Sequence, residues 1–389
     1  MTNHIAFYQF CSAVRRKGAL ALCLALCLLG LALSASAQKP RFITFDAPGA
    51  GTIPNPTWGM GTFAFGINDL GEIGGWYVDD NEVHHGYLRT PNGRIATFEY
   101  SGAGTGFCQG TLSWEMNSWG VTAGHYIDSE NVFHGFLRAL DGRITPFSVE
   151  GAGTVPGECG GQGTYVAGIN QAGVIAGEYA DSNWNDHGYV RTPDGRITVF
   201  DPKGSVSTGE NNGTPINQFG VITGYYADAN WVWHGFLRAP DGRITTFDAP
   251  GAGTAAGEGT FPTSINDNGT IAGFLQDNNE LTHGFVLYPD GKFRTFDVPG
   301  GGTVVGSWQG TYPIWINSAG AIAGYIIDSN GVSHGFLRTP DGRITTIDVP
   351  GAGTAAGQGT TAYSINDLGA ITGFYSDASG ITHGFLRTP

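Results

Sequence analysis

The sequence is poor in basic residues, with 19 lysines and arginines against 33 aspartates and glutamates. Three of the bases, Arg15, Arg16 and Lys17, lie close to the N-terminus, so the remaining chain is more acidic still. Binding to the phosphates of nucleic acid requires clustered lysine and arginine side chains. Nucleic acid is therefore excluded as a partner. Acidity favours no other partner by itself, because it also serves solubility.

Long apolar runs are lacking beyond residue 33. The run from Gly18 to Leu33 follows the basic triplet and precedes the small residues Ala35-Ser36-Ala37, which is the layout of a secretory signal. We expect residues 1–37 to be a signal peptide, leaving a secreted or periplasmic protein with no membrane segment after cleavage. An uncleaved anchor is the alternative, although the run is short for a membrane span. A twin-arginine signal at Arg15-Arg16 is less favoured.

Cysteine is also scarce, with five in the whole chain. Cys11, Cys23 and Cys27 belong to the expected signal peptide, so Cys108 and Cys159 remain in the mature chain. An isolated pair of cysteines in an oxidising compartment is more often a disulfide than two reactive thiols. We expect one disulfide between them.

Helical periodicity is absent, and one unit is repeated instead. Each copy reads approximately RITTFDAPGAGTxxGQGTxxxSINDxGxIxGxYxDxxxxxHGFLRxPDG, with a period of roughly 50 residues, in the range of propeller blades. The copies account for the mature chain, residues 38–389, as a single domain. They start at Arg41, Arg94, Arg143, Arg196, Arg243, Lys292 and Arg343.

Short runs of Ile, Thr, Phe and Tyr between turn residues predict four strands, A to D, in each copy. The A–B turn, such as Asn366-Asp367-Leu368-Gly369, fits a type I turn with a left-handed glycine. The mature chain opens with strand D at 41–46 and ends with strand C at 383–388, so the N-terminal strand can complete the last blade. A linear solenoid gains nothing from this offset. The predicted fold is all-β, a seven-bladed β-propeller of four-stranded blades.

These units resemble the HAF-repeat family of bacterial extracellular proteins, whose repeats pair an Ile-Asn-x-x-Gly step with a His-Ala-Phe-Leu strand. Glycine replaces the alanine here, as at Gly135, Gly235 and Gly335, so the match is to a close variant. The resemblance implies export and repeat architecture. It implies no activity, substrate or catalytic residue.

Every copy carries an aspartate followed six residues later by a histidine. One interpretation is a ring of acid-base or metal sites. We favour the other, a structural pair that holds the B–C loop, because a catalytic site is asymmetric whereas this device recurs in all blades and buried polar groups pair. The pairs are Asp79/His85, Asp128/His134, Asp181/His187, Asp228/His234, Asp277/His283, Asp328/His334 and Asp377/His383.

Departures from the repeat are the better guide to function. Five copies place an aromatic residue at the same point of strand B, whereas the second and third copies have His125 and Glu178, and the second also carries Glu115 in strand A. We expect Glu115 and His125 to share a sheet face at a diagonal spacing of about 7 Å. These three residues are the weak catalytic candidates. A local salt-linked substitution between blades is the favoured interpretation. No metal site and no cofactor is predicted.

Tryptophans in the loops are the second departure. The D–A crossovers and B–C loops should emerge together on one face and be longer than the opposite turns, which makes that face the candidate binding surface. A tryptophan offers a flat apolar face that can stack on a sugar ring. The ligand-binding candidates are Trp58 and Trp308 in crossovers and Trp184 and Trp231 in B–C loops. Trp233 is also assigned to a B–C loop.

The sequence therefore favours an exported, non-catalytic module that binds a carbohydrate or a cell-surface partner through this long-loop face. The first alternative is a glycan-active hydrolase or lyase with its site in blades two and three, which would need two acids, or an acid and a base, in one pocket. The second alternative is a structural or adhesive scaffold.

Overall fold

The repeat folds as a four-stranded antiparallel blade, and seven blades form a β-propeller. The computed structural model describes residues 40–54, 59–157, 159, 161–209 and 215–389. Every regular element in these ranges is a strand, and they contain no helix of the length and apolarity needed to cross a membrane. Phe42–Thr388 form one compact unit. The fold predicted from the repeats is confirmed, whereas the expected signal peptide lies outside the described residues.

Each blade contributes strands A to D in chain order. Blade 1 consists of β2 Met60–Ile67, β3 Ile73–Val78, β4 His84–Arg89 and β5 Ile95–Phe98. Blade 2 consists of β6 Gly110–Met116, β7 Thr122–Ile127, β8 Phe133–Arg138 and β9 Ile144–Phe147. Blade 3 consists of β10 Gly163–Ile169, β11 Ile175–Ala180, β12 Asp186–Arg191 and β13 Ile197–Phe200. Blade 4 consists of β14 Ser207–Gly209, β15 Ile222–Ala227, β16 Trp233–Arg238 and β17 Ile244–Phe247.

The remaining blades follow the same pattern, except that the last takes its strand D from the start of the chain. Blade 5 consists of β18 Gly259–Ile265, β19 Ile271–Gln276, β20 Thr282–Leu287 and β21 Phe293–Phe296. Blade 6 consists of β22 Gly310–Ile316, β23 Ile322–Ile327, β24 Ser333–Arg338 and β25 Ile344–Ile347. Blade 7 consists of β26 Gly359–Ile365, β27 Ile371–Ser376, β28 Ile381–Thr388 and β1 Arg41–Phe45.

The N-terminal strand completes the last blade, as the offset of the repeats predicts. Strand β1 pairs with β28. The ring of Phe42 lies 6.3 Å from that of Phe385, and the side chains of His383 and Asp46 are joined at 2.9 Å. Short parallel pairings also link strand C of a blade to strand A of the next, as from β4 to β6 and from β28 to β2. The two ends of the chain therefore meet within one blade.

The His-Gly-aromatic motif of strand C supplies the centre of each blade. The aromatic residue is 0% exposed in all seven blades. A Cβ on the preceding glycine would lie 2.6 Å from the Phe45 ring at Gly384, so alanine cannot fit there without displacing that ring. In blade 6 the neighbour of Gly335 is Ile347 instead, and the nearest atom lies at 3.0 Å. Where strand D carries an aromatic ring, that ring thus accounts for the glycine of the motif.

The asparagine that ends strand A has two functions. Its Oδ1 accepts backbone amides of its own turn, as Asn366 does from Ala370 at 2.9 Å, and the turn closes on Gly369 at φ 79°, as predicted. Its Nδ2 donates to the carbonyl of the equivalent asparagine in the next blade, at 3.0–3.3 Å. These donor and acceptor pairs are Asn117/Asn170, Asn170/Asn217, Asn217/Asn266, Asn266/Asn317, Asn317/Asn366 and Asn366/Asn68.

Candidate functional site

The B–C loops are tight turns rather than long loops, so the prediction of length is wrong for them. In blade 1, β3 ends at Val78 and β4 begins at His84. The Oδ1 of Asp79 accepts the backbone amides of Asn81 and Val83, both at 2.9 Å, and fixes the turn. This arrangement recurs in all seven blades. The main role of the aspartates in the Asp/His pairs is therefore to cap the B–C turns.

The D–A crossovers dock onto these turns and make one surface with them. The amide of Cys108, in the crossover into blade 2, donates to the carbonyl of Glu82 in the B–C turn of blade 1 at 2.9 Å. Gly257 makes the equivalent bond to the carbonyl of Trp231 at 2.8 Å. We call this surface the B–C face. Along the B–C face, the blades differ from one another in their crossovers and in individual residues of the B–C turns.

Each histidine of the Asp/His pairs lies between two groups rather than in a pair. His383 Nε2 faces Asp377 at 3.5 Å, while its Nδ1 bonds Asp46 at 2.9 Å. Across the blades the aspartate six residues earlier lies 2.9–3.9 Å from the imidazole. The second partner was missed from the sequence, although it stands at a constant spacing of 14 residues after the histidine in six blades. Those partners are Glu99, Ser148, Asp201, Asp248, Asp297 and Asp348, with Asp46 in blade 7.

The predicted Asp/His pair is not a hydrogen bond in every blade, which corrects the interpretation drawn from the sequence. His234 and His334 lie 3.9 Å and 3.7 Å from the aspartate six residues earlier, too far for a hydrogen bond. Their Nδ1 atoms bond Asp248 at 2.7 Å and Asp348 at 2.8 Å instead. The nearer carboxylate comes from the end of strand D. These histidines therefore join strand C to strand D, and they do not hold the B–C turn.

His134 in blade 2 is the opposite case. Its Nε2 bonds the Oδ2 of Asp128 at 2.9 Å, the shortest contact between the members of any Asp/His pair. Its Nδ1 meets the hydroxyl of Ser148 at 2.9 Å, where the other blades have a carboxylate. The imidazole of His134 thus lies at equal distances from one carboxylate and one hydroxyl.

Two tryptophans occupy a backbone conformation that their residue type disfavours. Trp184 and Trp231 have φ of 65° and 60°, and they stand at the same position of the B–C turns of blades 3 and 4. Gly331 and Gly380 occupy that position in blades 6 and 7. A left-handed backbone is a genuine outlier for a bulky L-residue. Both indole side chains are also half exposed, at 51% and 53%.

Trp308 repeats this combination in the crossover into blade 6. Its φ is 53° and it is 46% exposed. The same crossover contacts the B–C turn of blade 5, where the amide of Gly306 donates to the carbonyl of Asn279 at 3.0 Å. Trp184 and Trp231 therefore lie in the B–C turns of blades 3 and 4, and Trp308 lies in a crossover that contacts the B–C turn of blade 5.

The other predicted tryptophans behave differently. Trp233 begins β16 and packs inward, with its ring 5.1 Å from that of Tyr225, so its assignment to a loop is wrong. Trp58 lies outside the described residues. Trp119 is 68% exposed in an A–B turn and was missed as an exposed residue, although its turn position is readable from the repeat.

The three weak catalytic candidates do not converge on one pocket. Glu115 is 4% exposed, and its Oε2 accepts the amide of Ile169 at 3.1 Å. It borders a cavity of about 130 Å³ next to the A–B turns of the seven blades. His125 and Glu178 border a different cavity, of about 260 Å³. In the strand register Leu112 lies opposite His125 and Glu115 lies opposite Ala123, with a bulge between Ser113 and Glu115.

The cavity of His125 and Glu178 lies between blades 2 and 3, next to the B–C face. It is also bordered by His84, Trp114 and Tyr165. Burial lowers the pKa of His125 to about 3 and that of His84 to about 4, so both imidazoles are neutral near neutral pH. Burial, then the charges of Glu178 and Asp186, raise the pKa of Tyr165. Of the residues that border this cavity, only His125 and Glu178 were named as catalytic candidates from the sequence.

A disulfide borders the same cavity. Cys108 and Cys159 are bonded, with their Cα atoms 5.3 Å apart, and Cys159 is one of the residues that line the cavity. The bond links the crossover into blade 2 to the crossover into blade 3. Among the described residues, no three His, Cys, Asp or Glu side chains are grouped to hold a metal ion.

Solved structures share this architecture. The chain is similar to BP39L lectin from Burkholderia pseudomallei, with a TM-score of 0.51 and 13% sequence identity over 82% of this chain and 93% of that one. It is also similar to puromycin hydrolase, with a TM-score of 0.49 and 12% identity over 82% of this chain and 52% of that one. A variant of AofleA from Arthrobotrys oligospora matches with a TM-score of 0.43 and 13% identity, over 81% and 92%.

At these identities the likeness shows the fold alone. That fold is the β-propeller. No protein-family model and no curated protein matches the sequence. The function must therefore be argued from the residues of this chain.

Proposed function

We propose that this protein is a non-catalytic binding propeller that recognises carbohydrate by stacking sugar rings on the exposed tryptophans of the B–C face. The observation that carries the proposal is the left-handed backbone of the exposed Trp184 and Trp231, at a position where two other blades have glycine. Residues held in disfavoured conformations cluster at ligand sites, where the strain is retained for function.

Stability of the fold does not explain why tryptophan stands at these two positions, because neither the backbone conformation nor the burial of the side chain favours it. A left-handed conformation costs an L-residue about 1–2 kcal/mol relative to the right-handed form, a cost that glycine avoids. About half of each indole surface remains in water, so half of its apolar area contributes nothing to folding. A binding partner that covers the exposed ring would bury the remaining apolar area, and that burial would offset the cost of the left-handed backbone.

The spacing of the tryptophans favours an extended glycan. Trp184, Trp231 and Trp308 stand at successive blade junctions, so several rings of one chain can each meet an indole. Aspartate and asparagine side chains of the same turns, such as Asp181 and Asn183, lie beside them and offer hydrogen-bonding groups to hydroxyls. Stacking combined with such groups is suited to sugars, which have an apolar face and a polar rim.

The proposal includes an extracytoplasmic location and kinship with the HAF-repeat proteins. The Cys108–Cys159 disulfide supports an oxidising compartment, as does the basic, apolar and small-residue order of the first 37 residues. The similar BP39L protein is itself called a lectin. A cell-surface glycan or glycoprotein is thus the partner class we favour.

The catalytic alternative has less support. Glu115 and Glu178 border different cavities, and neither cavity is bordered by both. The low pKa of His125, about 3, is far from the value that suits a general acid or base near neutral pH. In the described residues, the two-carboxylate arrangement of a glycoside hydrolase is not assembled in the predicted sector.

The test replaces Trp184 and Trp231 with glycine, singly and together. We expect the double variant to lose binding in a screen against immobilised polysaccharides, while its melting temperature stays equal or rises because the left-handed position is relieved. Glu82→Gly and Asn131→Gly are matched controls, since these residues adopt φ of 62° and 60° at the same turn position of blades 1 and 2. They should gain stability similarly and keep binding.

Unchanged polysaccharide binding by the stable double variant would overturn the proposal. If the wild-type protein binds no polysaccharide in the screen, the scaffold alternative gains and the carbohydrate assignment fails.

A further inference from the structure

We propose that the cavity between blades 2 and 3 is a second binding site that takes one small uncharged molecule bearing hydroxyl groups, such as a monosaccharide or a cyclic polyol. It is separate from the tryptophans of the B–C face and does not depend on their function. The residues that carry the argument are His84, Trp114, His125, Tyr165 and Glu178.

The decisive feature is an unsatisfied nitrogen. His125 is 7% exposed and borders the cavity, yet its Nδ1 has no hydrogen-bond partner among the residues that the structure describes. Leaving a buried polar atom without a partner is destabilising. A ligand in the cavity can supply the missing partner.

The fold does not require histidine at this position. The equivalent strand B residues of the other blades include Trp76, Phe274 and Phe374, which pack into an aromatic cluster. His125 is itself surrounded by rings, with centroids at 5.5 Å for Trp114, 5.2 Å for Phe133 and 5.8 Å for Tyr165. A phenylalanine would therefore satisfy the packing and remove the unpaired nitrogen.

The second histidine presents an acceptor. His84 Nδ1 lies 3.3 Å from the carbonyl oxygen of Gln109, which can only accept, so Nδ1 carries the proton in the neutral ring. Its Nε2 is then an acceptor. Together with the carboxyl group of Glu178, the polar groups around the cavity mainly accept, and hydroxyl groups are the matching donors.

The volume of the cavity and the side chains that line it fit a small ring-shaped molecule. The volume of about 260 Å³ lies just under the usual range of ligand pockets, about 300–1,000 Å³. The aromatic walls suit the C–H face of a sugar ring and the few polar groups suit its rim. The neutral imidazoles disfavour an anionic ligand, since they add no positive charge to offset desolvation.

The test compares His125→Phe with the wild-type protein by isothermal titration and by thermal unfolding. The probes are neutral monosaccharides (glucose, galactose, mannose) and myo-inositol, with tetramethylammonium chloride as a cationic comparison. We expect at least one neutral probe to bind and raise the melting temperature. Binding should weaken about tenfold or more in His125→Phe, whose own stability should equal or exceed that of the wild type.

Two further variants keep the result independent of the proposed function. Trp184→Gly with Trp231→Gly should leave this binding intact, whereas it removes polysaccharide binding at the B–C face. Phe274→Tyr, at the equivalent place in blade 5, controls for a general change in the aromatic cluster and should also bind normally.

The proposal fails if none of the neutral probes binds, or if His125→Phe binds them as the wild type does. Binding of tetramethylammonium alone, abolished in His125→Phe, would also overturn it, because the aromatic cage would then serve a cation. A marked loss of stability in His125→Phe without any ligand effect would assign the histidine to packing.

Discussion

The side-chain amide of Asn366 donates a hydrogen bond to the backbone carbonyl of Asn68 at 3.0 Å, although 298 positions separate the two residues. This bond joins the last blade to the first. Both asparagines are buried, so water does not compete well for the donor or the acceptor. Asn68 itself differs from the other members of the ring, because its Nδ2 bonds Glu72 within its own blade at 2.8 Å.

That difference provides a matched pair of variants. Asn366→Ala loses both the turn cap and the bond to a backbone carbonyl of the next blade. Asn68→Ala loses its turn cap, the bond to Glu72 and a weaker contact of 3.6 Å with the Sδ of Met116 in blade 2. We expect the free energy of unfolding to fall further in Asn366→Ala, by about 1 kcal/mol, the usual net value of one hydrogen bond. Urea unfolding measures this difference. Equal losses in the two variants would contradict a stabilising role for the bond between blades.

Glycine in the His-Gly-aromatic motif makes a second prediction. Gly384→Ala places a Cβ 2.6 Å from the Phe45 ring, and Arg89 lies over that ring at 4.8 Å, so the ring cannot move without disturbing its neighbour. We expect a loss of about 1–3 kcal/mol, as in other overpacked cores. Gly335→Ala should cost less, since Ile347 replaces the aromatic ring there and no atom lies closer than 3.0 Å. Thermal unfolding of the two variants measures both losses of stability and shows which is larger.

The histidine of blade 7 should make stability depend on pH. The hydrogen bond with Asp46 raises the pKa of His383 and outweighs burial, which lowers it. Burial raises the pKa of Asp377, but the amides of Ile381 and Ser379 outweigh it, so the pKa of Asp377 lies below its usual value. The histidine's contribution is therefore complete below its unfolded pKa of about 6.5 and is lost as pH rises through the raised value.

The measurement is the difference in melting temperature between the wild type and His383→Gln. We expect a larger difference near pH 5.5 than near pH 8.5, because the imidazolium between two carboxylates is stabilised only while it is protonated. Asp46→Asn should reduce the same pH dependence, since it removes the main cause. A difference that does not change with pH would contradict the assignment.

The disulfide should stabilise the adjoining blades 2 and 3. Cys108 and Cys159 are 51 positions apart, so their bond restricts a long segment of the unfolded chain. We expect the Cys108→Ser/Cys159→Ser variant to lose about 2–4 kcal/mol of stability. Adding a reductant should lower the melting temperature of the wild type and leave that of the variant unchanged. A melting temperature insensitive to reductant in the wild type would count against this role.

Much of the fold can be read from the repeats. Strand-forming runs, turn residues and the offset of the chain ends give seven four-stranded blades, and the completion of blade 7 by β1 follows from that offset. The constant spacing between residues such as His187 and Asp201 could also have revealed the second partner of each histidine. Here local chemistry and topology agree, so the sequence suffices.

The candidate sites were predicted less well, for reasons that lie in three dimensions. A single bulge in β6 sets Leu112 rather than Ser113 opposite His125, and the structure places Glu115 at another cavity. Trp233 was assigned to a loop because the B–C turn is shorter than its sequence suggested. Registers and turn lengths depend on hydrogen bonds between strands, which composition does not specify.

The Asp/His pairs show the same limit. Their spacing of six residues is equal in every blade, yet His134 bonds its aspartate at 2.9 Å whereas His234 and His334 stand 3.9 Å and 3.7 Å away. The group at the end of strand D is a hydroxyl in blade 2 and a carboxylate in blades 4 and 6. A charged acceptor on that side competes for the imidazole, and its proximity is decided by the pairing of strands C and D.

The sequence by itself determined the all-β class, the number of blades and the residues that depart from the repeat, because periodic patterns and turn chemistry act locally. Only the tertiary structure decided which departures share a cavity, that His125 Nδ1 has no hydrogen-bond partner among the described residues, and that Trp184 and Trp231 combine exposure with a left-handed backbone. Those properties arise from how neighbouring blades pack and how each turn is closed, and distant residues contribute to both.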